Sequence, residues 1–239
     1  MPKRYWYVIL TYAIMQFSGI IVAPVLMMLF PEQYMEAAIY WTVFSFIAAL
    51  FIIIALLKPD MELRNHRDAS SFGQVILWSI LGVFMAYMAQ ALAVYVEWEI
   101  FQIRPGSENT MEIMDLARAI PFFVIVPAII APILEEIIFR KIIFGTFYKK
   151  MNFFLAAFLS ALIFGFIHGE PEHILIYSSM GFVFAYLYIK TKRIITPIIV
   201  HAAMNTITVI GQYFLTPEQI EKQLEQFEQL QVIFIGGLL

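Results

Sequence analysis

The sequence predicts an all-α, polytopic transmembrane helical bundle of about seven spans, followed by a C-terminal amphipathic helix. The 239 residues are 62% hydrophobic and only 14% charged, whereas a soluble domain is about 45–50% apolar and about 25% charged. The apolar residues also fall into runs close to the roughly 20 residues that a helix needs to cross a bilayer. The chain has no cysteine, which excludes disulfides and thiol nucleophiles. No basic surface suggests nucleic-acid binding.

Seven apolar runs are the predicted spans, and the short polar segments between them argue for one integral membrane domain over residues 1–215. The fifth and sixth runs are the shortest. In chain order the spans are Trp6–Phe30, Ala38–Leu57, Phe72–Val96, Ala119–Phe139 with an extension to Phe147, Phe153–Ile167, Ile174–Ile189 and Ile194–Phe214.

The basic residues orient these spans. With the amino terminus inside, twelve of the 15 Lys and Arg residues fall in inner segments, and the other three are Arg104, Arg118 and Lys222. Because cytoplasmic loops carry an excess of Lys and Arg, this four-to-one bias predicts a cytoplasmic amino terminus and an external carboxy terminus.

The segment 216–239 is predicted to be an amphipathic helix outside the spans. Thr216 at the N-cap, Pro217 at the first helical position and Gln219 at the third form a capping-box pattern. Its apolar residues recur on one face and its glutamates lie elsewhere. The pattern indicates a helix at the outer interface or packed on the protein.

The fourth span contains two adjacent carboxylates within Pro132–Arg140. Ionised groups are costly in hydrocarbon, so such residues face a protein interior or a wet cavity. Glu136 and Arg140 are spaced i,i+4 with the acid first, the order that favours an intrahelical ion pair. Glu135 is turned about 100° away and has no basic residue on its own face. Glu135 is therefore left free for chemistry, although a structural ion pair between helices is the alternative.

Two later spans add polar residues, again at helical spacing. Phe164 and His168 share one helix face, and so do His201 and Asn205. These residue types suit hydrolysis: Glu135 as general base toward water, His168 orienting or sharing that proton, and His201 and Asn205 donating to an oxyanion. The same histidines with a carboxylate are also potential zinc ligands. The sequence leaves the metal-free and zinc mechanisms open.

Other catalytic patterns are absent. The common zinc-protease motif His-Glu-x-x-His does not occur, and the spacing from His168 to His173 does not fit its inverted form. Pro171 interrupts any helix there, so this segment is predicted to be a turn that lines the cavity.

Three motifs together resemble the CAAX protease and bacteriocin-processing (Abi) family of intramembrane endopeptidases, in the family's order, over roughly residues 121–211. They are Glu-Glu-x-x-x-Arg at Glu135–Arg140, Phe-x-x-x-His at Phe164–His168 and His-x-x-x-Asn at His201–Asn205.

The resemblance implies an intramembrane endopeptidase with Glu135 as the water-activating carboxylate and His168, His201 and Asn205 completing the site. Glu136, Arg140 and Phe164 would be its structural support. It implies a substrate that is a membrane protein or membrane-associated peptide, a bacterial cell membrane, and a cavity reached from the cytosol. It leaves the cofactor open, with zinc or a metal-free glutamate mechanism as the options.

Two other function classes fit the same residues. A proton-coupled transporter would use Glu135, His168 and His201 as a relay, although no internal repeat typical of transporters is visible. A non-catalytic immunity or scaffold protein would bind a peptide in the same cavity.

Overall fold

The computed structural model describes residues 1–62 and 68–215, together with the isolated Gln219 and Lys222. Within these residues the chain is helical and contains no β-strand, which confirms the predicted all-α bundle. The C-terminal helix predicted over 216–239 lies outside the described residues.

Eight helices run through the described part of the chain. They are α1 Lys3–Leu29, α2 Tyr34–Glu62, α3 Phe72–Phe101, α4 Glu108–Ala119, α5 Pro121–Phe147, α6 Phe153–Ile167, α7 Ile174–Thr191 and α8 Ile195–Tyr213.

Six of these helices, all except α4 and α6, are long and apolar enough to cross a membrane. Helix α6 has 15 residues and rises only about 22 Å, less than the roughly 30 Å hydrocarbon core. The predicted count of about seven spans therefore becomes six full-length helices and one short apolar helix in the described residues. The fourth span runs over Pro121–Phe147 and so includes the predicted extension to Phe147.

Helix α5 is irregular because two prolines interrupt its hydrogen bonding. It opens with a 3-10 turn at Pro121–Val124, continues through π turns at Val126–Ile130 and passes through α-helical Ala131–Glu135. A second π stretch at Glu136–Phe144 follows. Wide π turns are often found at functional sites, and here they flank the paired glutamates.

Helix α5 is also the centre of the bundle. In its most apolar window 61% of the residues are buried inside the protein, against 17–22% in α1, α2 and α3. Helices α6, α7 and α8 pack around it, and α6 and α7 approach closely at Gly181, where a Cβ atom would lie 3.2 Å from that of Ala161. Small residues at such crossings allow tight packing in a membrane.

The bundle has a basic end and an opposite end, each formed by different segments of the chain. The basic end is formed by Met1, Asp60 and the connections 148–152 and 192–194. The opposite end, which we call the α4 end, consists of α4, the segment 102–107 and the connection 168–173. The amino terminus and α4 therefore lie at opposite ends.

Candidate active site

A cavity of about 350 Å³ opens toward the α4 end. Its lining combines residues of every helix from α3 to α8 and of the connections 102–107 and 168–173. It brings together Glu135, Phe164, His168, His201 and Asn205. The four residues predicted from sequence as catalytic therefore share one cavity, whereas the larger cavity at the basic end contains none of them.

Glu136 and Arg140 lie behind this cavity, and both side chains are fully buried. Arg140 Nε lies 3.1 Å from Glu136 Oε2, although its N–H does not point at that oxygen closely enough to count as a hydrogen bond. The contact is thus a charge pair. The other carboxylate oxygen, Oε1, lies 3.0 Å from His201 Nδ1, so Glu136 also holds the His201 ring.

Three phenylalanine rings surround the guanidinium of Arg140. Its carbon lies 4.5 Å from the ring centre of Phe164, 5.3 Å from that of Phe184 and 5.9 Å from that of Phe139. Arg140 Nη1 and Nη2 have no hydrogen-bond partner among the described residues. Aromatic faces attract a cation most strongly where water is excluded, so these rings take the place of the missing acceptors.

Phe164 links this buried charge to the cavity. Its ring lies against Arg140 and contacts His168 edge-on at 4.5 Å and His201 edge-on at 5.9 Å. The Phe184 ring stacks on His201 at 4.9 Å between ring centres. The Phe-x-x-x-His spacing therefore positions one ring among three functional side chains.

Glu135 faces the cavity, and its side chain is 17% exposed. Its Oε2 lies 3.8 Å from His201 Nε2, too far for a direct hydrogen bond but a distance that one water molecule can bridge. Because a carboxylate can only accept a hydrogen bond, His201 Nδ1 must donate to Glu136. His201 Nε2 is then the ring atom that faces Glu135.

His168 is fixed in a similar way. Its Nδ1 lies 2.7 Å from the Phe164 carbonyl oxygen, which only accepts, so Nδ1 carries a proton and Nε2 is free. The ring stacks on Tyr177 at 4.1 Å between ring centres. Together these contacts define both the tautomer and the orientation of His168.

Asn205 donates a hydrogen bond to a backbone carbonyl whose helical donor is missing because of a proline. Its amide Nδ2 donates to the Pro127 carbonyl at 2.9 Å. In the π turn that begins at Val126 the hydrogen bonds span five residues, so the Pro127 carbonyl would normally accept from residue 132. Residue 132 is proline and has no N–H. The second amide hydrogen of Asn205 is not needed for this contact.

A buried pair that sequence reasoning missed lies beside the cavity. Glu97, which lies beyond the predicted third span, is only 2% exposed. It accepts from His173 Nδ1 at 2.9 Å and from the backbone N–H groups of Leu175 and Ile176. Glu97 thus caps the amino terminus of α7 and orients His173, which lines the cavity. The signal in the sequence was an acid at the end of the third apolar run with apolar residues still following it, namely Trp98, Ile100 and Phe101.

Glu170 anchors α4 over the cavity. It accepts hydrogen bonds from Tyr177 Oη, from Ser107 Oγ at 2.9 Å and from the Asn109 backbone N–H at 3.0 Å. Burial opposes its ionisation, but hydrogen bonds from Tyr177, Asn109 and Ser107 hold the pKa of Glu170 below its ordinary value. The segment His168–His173 is therefore a turn that lines the cavity, as predicted, and it also ties α4 to α7.

The zinc alternative can be compared with this geometry. Zinc sites use three or four protein ligands with Zn–N distances of about 2.0–2.1 Å. In the described ranges, no group of three or more His, Asp or Glu side chains is arranged to hold a metal ion. His168 and His201 each use Nδ1 for another partner, which leaves Nε2 as the nitrogen that could bind a metal, as in many zinc-binding histidines. What the described side chains do not supply is a third ligand within reach of both, so they do not form a zinc site.

Known proteins resemble this chain in the same region. A family model described as type II CAAX prenyl endopeptidase, Rce1-like, matches residues 117–207. The protein named "Putative membrane peptidase YdiL" of Bacillus subtilis (strain 168) is 45% identical over 247 residues, covering 100% of this chain and 99% of the relative. The chain belongs to the Rce1-like family. "Membrane-embedded CAAX protease MroQ" of Staphylococcus aureus (strain USA300) is 34% identical over 208 residues, 84% of each chain.

Membership of the Rce1-like family confirms the resemblance inferred from the three motifs. This Rce1-like chain is an integral membrane protein of a protease family, and that family implies a peptide or protein substrate in a membrane. The matched residues 117–207 include the four cavity residues predicted to be catalytic. No solved structure gave a match.

Proposed function

We propose that this Rce1-like protein is an intramembrane endopeptidase in which Glu135 activates water for hydrolysis of a peptide bond in a membrane-associated protein or peptide. The observation that carries the proposal is the approach of Glu135 Oε2 to within 3.8 Å of His201 Nε2, in a cavity that also contains His168 and Asn205. One water molecule between Glu135 and His201 would be positioned to attack a carbonyl carbon.

Charge balance favours one mobile proton in this cluster. Ionised Glu135 and Glu136 carry two negative charges, Arg140 carries one positive charge, and a protonated His201 makes the sum zero. A neutral cluster costs least in a low-dielectric surrounding. A proton on His201 Nε2 also enables that nitrogen to donate a hydrogen bond.

The proposed reaction uses the polar side chains that line this cavity. The Glu135 carboxylate accepts a proton from water as the water oxygen bonds to the carbonyl carbon, and the carbonyl π electrons move to its oxygen. His201 Nε2–H and the second amide hydrogen of Asn205 donate to this oxyanion. His168 Nε2 accepts a hydrogen bond from the water and orients it. When the oxyanion collapses the C–N bond breaks, and the proton on Glu135 passes to the leaving nitrogen.

The substrate class follows from the family. One relative is named a CAAX protease, so we propose a peptide segment whose scissile bond enters the bundle from the membrane boundary. The lining is mostly apolar between the polar groups, with Val94, Ile113 and Met180 among its residues. Such a lining favours a segment with small or apolar side chains near the cleaved bond.

A direct test uses the purified protein in liposomes with a library of membrane-anchored peptides. Cleavage that persists in the presence of a metal chelator would support the proposal. Ion-coupled uptake without cleavage would instead support a transporter, and binding without cleavage an immunity or scaffold protein. Either of these two results would overturn the proposed activity.

The side of the membrane on which the cavity opens can be predicted as well. Because the cavity and the amino terminus lie at opposite ends of the bundle, a cytoplasmic amino terminus requires a cavity that opens externally. The two expectations from sequence, a cytoplasmic amino terminus and a cytosolic approach to the site, are therefore incompatible. We propose that the distribution of Lys and Arg sets the orientation of the bundle. This is then a bacterial cell-membrane protein whose cavity opens on the external side.

Cysteine labelling tests this orientation cleanly, because the chain has no cysteine of its own. An impermeant thiol reagent on intact cells should label Glu108→Cys at the start of α4 and spare Ser70→Cys at the basic end. Both variants should react after permeabilisation, which is the control. Labelling of Ser70→Cys alone in intact cells would reverse the orientation while leaving the proposed chemistry intact.

A further inference from the structure

The basic end contains a second cavity, of about 810 Å³, that the proposed reaction does not use. Its walls come from the ends of four helices, α1, α2, α5 and α7, from the residues before α1 and from the connections 148–152 and 192–194. It therefore lies at a boundary of the membrane-spanning bundle, on the side away from Glu135.

Positive charge dominates this cavity. Its lining contains five basic side chains and one acidic one, namely Lys141, Lys149, Lys150, Lys192, Arg193 and Asp60. The single acid is already neutralised: Asp60 pairs with Arg4, accepts from Tyr5 Oη at 2.7 Å and lies 3.2 Å from Lys141 Nζ. The excess of positive charge in the lining is thus not balanced from within.

Two of the lysines are available to a ligand. Lys149 and Lys150 are exposed, and neither has an acidic partner among the described residues. By contrast, Lys192 contacts Asp68 at 3.3 Å and Arg193 donates through Nε to the Ser70 carbonyl. An excess of basic loops at this end is expected from the positive-inside rule alone. The rule does not, however, require the lysines to converge on one cavity.

The rest of the lining suits a phospholipid headgroup better than a small soluble anion. Tyr5, Tyr148 and Tyr188 add ring faces and hydroxyl groups, while Met1, Ile189 and Ile194 add apolar wall. Basic pockets between transmembrane helices at the cytoplasmic boundary are known to hold anionic lipid headgroups. We propose that this cavity binds the phosphate headgroup of an anionic phospholipid, with Lys149 and Lys150 as its main cationic contacts.

The experiment compares two double variants with the same change in charge. Lys149→Gln/Lys150→Gln removes the two cavity lysines. Lys3→Gln/Lys58→Gln removes two exposed lysines at the same end that do not line the cavity. The delipidated full-length protein in detergent is titrated with phosphatidylglycerol, phosphatidylcholine or glycerol phosphate, and both bound lipid and Tm are measured.

We expect phosphatidylglycerol to bind and raise the Tm of the wild-type protein, and phosphatidylcholine and glycerol phosphate to have little effect. Each lysine near an anionic headgroup contributes about a 5-fold preference. The Lys149→Gln/Lys150→Gln variant should therefore bind about 30-fold more weakly, and the Lys3→Gln/Lys58→Gln variant should bind like the wild type.

Three results would overturn the proposal. Equal loss of binding in both double variants would reduce the effect to general surface charge. A Tm shift with glycerol phosphate as large as that with the lipid would make the ligand a soluble phosphate. An equal response to phosphatidylcholine, whose phosphate charge is balanced by choline, would show that the net negative charge of the headgroup is not recognised. Since both lysine pairs are exposed, retained wild-type Tm without lipid provides the folding control.

Discussion

Glu135 and Glu136 are adjacent in the sequence, but they lie on two faces of α5 that have very different surroundings. On one face Glu136 is fully buried and lies between Arg140 and His201. On the other face Glu135 is partly exposed to a cavity, and its Oε2 lies 3.8 Å from His201 Nε2. Two identical side chains one residue apart therefore have different surroundings.

The difference shows how a membrane protein accommodates carboxylates. The Glu136 carboxylate is paired with Arg140 and hydrogen-bonded to His201, so its charge is compensated inside the protein. Glu135 forms no ion pair with a Lys or Arg among the described residues; it lies 3.8 Å from His201, which is hydrogen-bonded to Glu136, and it faces a cavity large enough for water. Full burial and pairing suit a structural role, and an accessible, less compensated carboxylate suits a general base.

The largest expected effect on stability comes from the Glu136 face. Arg140→Ala leaves a buried carboxylate without its partner, which costs about 3–5 kcal/mol, and it also removes the cation enclosed by Phe139, Phe164 and Phe184. Folded yield and thermal stability in detergent should fall. The double variant Glu136→Gln/Arg140→Gln removes both charges and should recover part of the loss. Unchanged stability of Arg140→Ala would show that the buried pair does not support the fold.

On the cavity face the expected loss is of activity. Asn205→Ala removes a proposed oxyanion donor and should lower kcat about 10²–10³-fold. It also leaves the Pro127 carbonyl without its donor, which costs about 1–3 kcal/mol of stability. Asn205→Asp is the matched control, because it keeps the size but cannot donate. If Asn205→Ala retains full kcat, the oxyanion role is wrong.

The smallest expected effect concerns α4, which covers the cavity. The pKa of Glu170 is held below its ordinary value of 4.5, so its ionised form stabilises the anchored helix. This contribution is present above pH 4.5 and is lost as the pH falls through the lower, folded-state pKa. The protection of the Asn109 amide, measured relative to its intrinsic exchange rate at each pH, should stay high at neutral pH and fall only in stronger acid. Glu170→Gln should lower this protection at neutral pH and have no effect once Glu170 is protonated, and wild-type protection in that variant at neutral pH would contradict the anchor.

The features that follow helical periodicity could be predicted from the sequence. The spacing within Phe164–His168 and His201–Asn205 predicted shared faces, and the i,i+4 order of Glu136 and Arg140 predicted their 3.1 Å approach. The bounds of α6 at Phe153–Ile167 also agree with the prediction. These features depend on one helix at a time, so hydropathy and spacing are sufficient.

The features that the sequence did not reveal depend on contacts between distant segments. The link between Glu97 and His173 spans 76 residues, and the Phe184 ring that covers His201 comes from a span without any motif. The hydrogen bond from Asn205 to the Pro127 carbonyl spans 78 residues, and no proline marks the second π stretch of α5 at Glu136–Phe144. The end at which the cavity opens also required the packed bundle, because hydropathy orders the spans but does not arrange their cavities.

The account is tested most directly by measuring kcat and peptide binding for Glu135→Gln beside Glu136→Gln in folded, purified protein. Glu135→Gln keeps the shape of the side chain but removes the base. Hydrolysis should therefore fall at least about 10²-fold, while stability and peptide binding stay close to wild type. Glu136→Gln should lose stability first, since it leaves Arg140 buried without its charge partner. If folded Glu135→Gln protein cleaves at the wild-type rate, Glu135 is not the general base and the proposed mechanism is wrong.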